Sequence, residues 1–478
     1  MAISMFRVQS VFSHLHSKTN RYPIKDMNKL KIPWVGYILL GSALFSIGAV
    51  WNKAPILFYD SINYITDGLN GRYVSIRMVT YPLFVKITSF SGLSLWGTLL
   101  AQNLMLSFLL WRMQIDLTKK VTVAGFMLIC ALSALVFGGT WIQSQIMADA
   151  MTPVCVLSFI LILLPSTRTL SYELMIWATF AISALSHASH LIILSLAFIT
   201  ITAMSRFVRT PQFAFQIKKT GGILVAIFLL SPLINKAATG DFIPVQSSQP
   251  HLLARLIETG IIDRLLSEKC GEKKYIFCAN KPIPETEAND FLWGNHGMMR
   301  GNTYRNVDNP EYAIVIRDSF RYYPMAIFLA DLRSFFSQLV HYKLGDRLNT
   351  IEMREQILFI IMYDPLGFAA FSKAKQIEGK LHFTWPNRLL ITSFVLMFLI
   401  LLSRRFRETL LKDKRKYWAF MILVVYVISN AAVCASLSNV RDRYQARVVW
   451  LLPTLLFLLS FEVMSEIQIR ALTKRSGV

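Results

Sequence analysis

Asp60 and Asp67 stand seven residues apart in ILFYDSINYITDGLNGRYVSIRMVTYPLFV, a spacing that puts two carboxylates on one face of a helix. A carboxylate there can act as a general base or a metal ligand. The alternative is the solvated acidic face of an amphipathic helix whose Tyr59, Tyr64 and Ile65 lie on a membrane surface. Arg72, just beyond, is a candidate substrate-binding cation. Asp149, in GGTWIQSQIMADAMTP, comes immediately before an apolar run. A carboxylate so near hydrocarbon is costly and usually has a task, although a helix N-cap or first-turn charge fits the same place. His187 and His190 in SALSHASHL are spaced to face one site or share a metal, or are polar residues at a helix junction. Arg441, Arg443 and Arg447 surround Tyr444 in SLSNVRDRYQARVVWLLP. Their planar forks suit phosphate or pyrophosphate. Asp442 can neutralise part of that charge, and simple contact with lipid head groups is the other reading.

Apolar helices must position these groups. The chain has 478 residues, 54% of them hydrophobic and 16% charged, with a mean hydropathy of +0.45. Soluble domains carry closer to a quarter charged residues. Apolar runs occur near 33–51, 93–111, 121–138, 151–164, 221–237, 389–402, 417–435 and 448–464. The stretch Tyr172–Met204 is too long for one span and is split around Ser186–His190. The expectation is an α-helical polytopic membrane protein with about ten transmembrane helices.

Basic residues set the orientation. A cytoplasmic basic tail, 1–32, precedes an N-terminal transmembrane bundle at 33–237, and the C-terminal helices at 389–464 lead to a cytoplasmic tail at 465–478. Alternating spans then keep the cluster from Arg404 to Lys416 inside and leave 52–91, 139–150, 238–388 and 436–447 outside. Of the named short basic clusters, only Arg441–Arg447 breaks the rule. Segment 238–388 is expected to be a mainly α-helical external domain. Within it, Tyr323–Val340 and Gln356–Ser372 are apolar but interrupted by Asp331, Arg333 and Asp364, and read as interfacial or domain helices. Trp293, His296, Trp385 and Phe320–Tyr323 either line a ligand site or form that domain's core, the latter being favoured.

Cys270 and Cys278 fall in this external segment and read as a local disulfide, whereas Cys130, Cys155 and Cys434 read as buried packing residues. The net charge of +22 sits largely beside apolar runs, which argues for anionic lipid and against nucleic acid. No nucleotide-binding glycine loop or zinc-protease signature appears.

Four features together resemble the GT-C superfamily of membrane glycosyltransferases. They are Asp60 in FYDSINY followed by Tyr81 and Pro82, a second external acid at Asp149, the paired helices around SHASH, and the Arg–Tyr element RDRYQARVVWLLP before the last span. The external domain carries no motif of such a family and looks like an uncharacterised bacterial group. The resemblance implies transfer of a sugar from a polyprenyl-phosphate-linked donor to a glycan, lipid or protein acceptor outside the cytoplasm, in the bacterial inner membrane with a periplasmic domain. It implies Asp60 as the base, Asp149 in acceptor positioning or metal binding, and Arg441, Arg443 and Arg447 on the lipid phosphate with Tyr444 nearby; Asp67, Arg72, His187 and His190 are further substrate-binding candidates. A divalent cation, Mg or Mn, would use Asp60 and Asp149, but the adjacent acidic pair of some such families is missing, which leaves metal dependence open. The competing expectations are a transporter or flippase for a lipid-linked saccharide, and a non-catalytic scaffold of a polysaccharide system. The outer-interface charges and the want of an internal repeat weigh against transport.

Overall fold

The computed structural model describes residues 34–73, 77–118, 121–206, 211–243, 248–284, 286–294, 310–348 and 368–460. Each of the ten apolar runs is largely helical over its described residues. In chain order the helices used below are α1 (Trp34–Phe45), α2 (Tyr59–Asn70), α3 (Leu95–Leu117), α4 (Met151–Leu163), α5 (Leu170–Ala184), α6 (Ala188–Ser205), α7 (Pro211–Thr239) and α8 (Ser248–Glu258). They continue with α9 (Ala288–Trp293), α10 (Pro310–Tyr322), α11 (Pro324–Val340), α12 (Thr384–Leu402), α13 (Lys414–Leu437) and α14 (Asp442–Val449), after which 451–460 is again helical. Among the described residues there are no strands, only one isolated parallel bridge between Ile56 and Gln145.

Among the described residues, four helices are long and apolar enough to cross a membrane: α6, α7, α12 and α13. Their surfaces point the same way. α12 buries Leu390 and Ser393 but exposes Ile391, Val395, Leu396, Phe398, Leu399 and Leu402. α7 exposes Val225, Phe228, Leu229, Leu230 and Leu233. Apolar faces this wide are unfavourable in water and natural against lipid tails. Tyr172–Met204 does break into two helices, with α5 ending at Ala184 and α6 starting at Ala188. His187 caps α6, its Nδ1 accepting from the Ser189 N–H at 3.1 Å.

Two separate apolar cores hold the chain together. The large one runs through α1, α3, α4, α6 and α13. The small one gathers Leu253, Ile257, Leu265, Phe277, Phe291, Tyr312 and Ile327, and the Cys270–Cys278 disulfide closes its edge. Segment 238–388 is therefore divided: Leu344, Leu348, Phe371 and Leu381 pack with the large core. Cys130, Cys155 and Cys434 are free and buried. The favoured reading of the domain's aromatics as core fails for Trp293, Phe320 and Trp385, which are exposed, and holds for Tyr323. His296 and most of Gln356–Ser372 lie outside the described residues.

The helix ends at one side of the bundle carry an ionic network unlike the other end's. Arg168, with its side chain 1% exposed, donates to Asp116 at 2.7 Å, Glu173 at 2.9 Å and the Leu161 carbonyl at 2.8 Å. Arg112 also pairs with Asp116, and Lys219 with Glu173. This network ties α3, α5 and α7 together. The candidate site lies at the opposite ends of α4, α5 and α13.

Candidate functional site

Backbone ties bring two distant segments side by side. The Ile56 N–H donates to the Ser144 carbonyl at 2.8 Å, and the Ile146 N–H donates back to the Ile56 carbonyl at 3.0 Å. Gln102 of α3 clamps the second segment by donating to the carbonyls of Gln143 and Gln145. Buried Gln376 holds the first by exchanging two bonds with the backbone of Leu57, at 2.6 and 3.0 Å. The Phe58 N–H then donates to the Ser61 hydroxyl, which starts α2 with Asp60 in its first turn. Gly68, further along α2, lies so close to the Thr80–Thr88 helix that a Cβ there would meet the Pro82 carbonyl oxygen.

Asp60 is bracketed by two arginines. Arg77 donates to Oδ1 at 2.8 Å and Arg443 to Oδ2 at 3.3 Å. Burial alone would raise the Asp60 carboxyl, but the two guanidinium groups outweigh it and hold it far below the usual carboxylate range. Arg443 is further seated over the rings of Phe58 and Tyr444, 4.5 and 4.8 Å from their centroids. Asp149 is bracketed differently. Arg447, 1% exposed, donates to its Oδ1 at 2.5 Å, to Asn430 Oδ1 at 2.8 Å and to the Ser189 hydroxyl at 3.2 Å. The helix after Asp149 is capped by Ala150 with no side-chain bond, so the N-cap reading of Asp149 fails.

The histidines join this cluster through Ser189, whose hydroxyl lies 2.8 Å from His187 Nδ1. Burial, and then the nearby Arg447 charge, push His187 down to about 4, so it is neutral at physiological pH. His190 has both ring nitrogens engaged, with Thr152 at 2.9 Å and the Ser183 carbonyl at 2.8 Å. The two rings stand 5.5 Å apart, and with both His190 nitrogens in hydrogen bonds the pair has no second free nitrogen to share with a metal.

Of the residues picked from the sequence, Asp60, Asp149, His187, His190, Arg443, Tyr444 and Arg447 come together. Asp67 is buried on α2, which rules out a solvated acidic face there. Arg72 is exposed past the end of α2. The Arg441 guanidinium reaches Asn289, and Asp442 accepts from the Lys343 N–H. Sequence reasoning missed Arg77, Ser189 and Asn430. Arg77 had a signal, being another arginine in a segment read as outward.

A divalent cation does not fit these carboxylates well. Both Asp60 oxygens and one Asp149 oxygen face guanidinium groups, and no cluster of three or more His, Cys, Asp or Glu among the described residues has the makings of a metal site. What the arrangement offers is three guanidinium groups against two carboxylates, a surplus of positive charge in a partly buried setting. Such a site favours an anion with several oxygens.

No family model, curated protein or solved structure matches the chain that builds this cluster.

Proposed function

We propose that the chain is an integral membrane glycosyltransferase of GT-C type. It moves a sugar from a polyprenyl-phosphate-linked donor to an acceptor hydroxyl at the non-cytoplasmic face of the bacterial inner membrane, in cell-envelope glycan or glycolipid synthesis. The ten apolar helices are its spans, both termini are cytoplasmic, and the small core is the heart of a periplasmic domain. The observation that carries the reading is the bracketing of Asp60 by Arg77 and Arg443 beside the Asp149–Arg447 pair, at one end of a bundle that shows lipid-compatible faces.

The chemistry follows from charge. The acceptor oxygen attacks the anomeric carbon, the bond from that carbon to the phosphate oxygen breaks, and the acceptor proton passes to Asp60. The leaving lipid phosphate gains negative charge, which Arg443 and Arg77 offset. In the resting arrangement those arginines depress Asp60 and make it a poor base. A donor phosphate competes for the same guanidinium groups, so donor binding loosens their hold on Asp60 and restores its basicity. Arg447 and Asp149 keep α14 in place and set the wall against which the acceptor lies.

The experiment compares envelope glycans and lipid-linked sugars in cells with and without the chain. Loss of one sugar from the glycan, with accumulation of its lipid-linked donor on the outer leaflet, is the expected result. An unchanged glycan would overturn the reading, and donor retained on the inner leaflet would point to a flippase.

A further inference from the structure

Arg441 is held by its backbone rather than its side chain. Gln338 of α11, fully buried, accepts from the Arg441 N–H at 3.0 Å and donates to the Arg441 carbonyl at 2.8 Å. This double clasp fixes where the guanidinium begins. Arg347 comes from an unrelated turn pinned by Asn387, whose amide exchanges bonds with the Leu344 backbone at 2.7 and 3.1 Å. Arg347 itself adopts φ +54, the left-handed region that side chains rarely occupy.

Both arginines reach the same atom. With the Asn289 amide oriented to satisfy its neighbours, its oxygen accepts from Arg441 Nη2 at 2.5 Å and Arg347 Nη2 at 3.2 Å. Two full positive charges thus share one neutral acceptor. Neither has an ion-pair partner among the described residues, although Asp346 and Asp442 adjoin them in sequence; Asp442 accepts from the Lys343 N–H. The buried Arg168 and Arg447 sit on carboxylates, whereas Arg347 is exposed and Arg441 half-buried. Two guanidinium groups set on one neutral oxygen keep most of their N–H donors free for a ligand with several oxygens, and a phosphate matches their planar forks.

We propose that Arg347, Arg441 and Asn289 form a second anion site, built from residues other than those of the Asp60–Asp149 cluster, which takes a phosphate monoester or diester. It lies at the seam where α9 of the small core meets the turn after α11 and the segment entering α14. Two guanidinium forks supply donors to separate phosphate oxygens, and the Asn289 amide turns to donate its N–H in place of its carbonyl. The site stands without the sugar-transfer reading, because it is read from binding alone.

The test uses the purified full-length chain in detergent with inorganic phosphate, and in nanodiscs of phosphatidylglycerol against phosphatidylcholine. Thermal stabilisation and binding are compared for wild type, Arg347→Gln and Arg441→Gln. Arg347 is exposed, so its variant is expected to fold, and a size-exclusion profile confirms that. Phosphate binding weakened about ten- to a hundredfold in Arg347→Gln supports a soluble phosphate ligand. Stabilisation only in phosphatidylglycerol, lost in Arg347→Gln, supports a lipid head group. No response in wild type, or a response that Arg347→Gln leaves intact, overturns the proposal.

Discussion

Asp149 and Arg447 meet where water is nearly excluded, their side chains 8% and 1% exposed. Removing one partner strands the other's charge, a loss of about 3–5 kcal/mol. Arg447→Met alone should therefore lower the thermal midpoint in detergent strongly, and Arg447→Met with Asp149→Leu should recover much of it. A double variant as unstable as the sum of the singles would contradict a direct pair. His187 gives a pH dependence of known sign. Its folded value of about 4 lies below the ordinary 6.5, so the unfolded chain binds the extra proton first. Stability contributed by neutral His187 is full above about pH 6.5 and is lost as pH falls toward 4. Unfolding midpoints measured across that window should slope downward on acidification, and His187→Asn should flatten part of the slope. At this scale the sequence was informative where charge sat beside hydrocarbon, as at Asp149, and where arginine broke the positive-inside trend. It was silent on Asn289, Asn430 and Arg347, since a neutral amide or a lone arginine leaves no pattern until folding brings it to its partner.

α11 shows how a helix can disguise its surroundings. Asp331 and Arg333 made it read as interfacial or as part of a domain. In the fold Asp331 turns inward to a small cavity shared with Arg255 and Ser436. Met325, Phe328, Leu329, Leu332, Phe336 and Val340 form an exposed stripe at helical spacing, while the helix packs along α13. We expect this stripe to face lipid. Cysteine placed at Phe328 or Phe336 should resist a membrane-impermeant thiol reagent in intact vesicles, whereas cysteine at exposed Lys281 should react when its side is presented. Rapid labelling at both stripe positions would contradict a lipid-facing α11. The apolar runs were legible because hydropathy over a long window needs no knowledge of partners. The break between α5 and α6 was legible from length. Which of its charges α11 turns inward was not: Asp331 faces the inner cavity while Arg333 stays exposed.

Across the whole molecule, two cores and two polar ends give the chain its direction. The network around Arg168 closes one end with charges matched by Asp116 and Glu173. The other end leaves positive charge in surplus, between a bundle suited to lipid and a disulfide-closed small core. The sequence separated these regions by hydropathy and charge, but it did not show that Leu344, Leu348, Phe371 and Leu381 return to the large core. That return carries Gln376 to Leu57, contacts made by residues more than three hundred positions apart, which no local pattern encodes. On the proposed reading, the chain should lose its product when Asp60 loses its charge, without losing its fold, because an asparagine side chain is nearly the same size and keeps one acceptor for Arg77. The direct measurement is extracellular glycan composition in cells carrying Asp60→Asn, with the membrane abundance of the variant measured alongside. The account predicts loss of the glycosylated product at normal abundance. An unchanged product at normal abundance would contradict catalysis by Asp60 and favour transport or scaffolding.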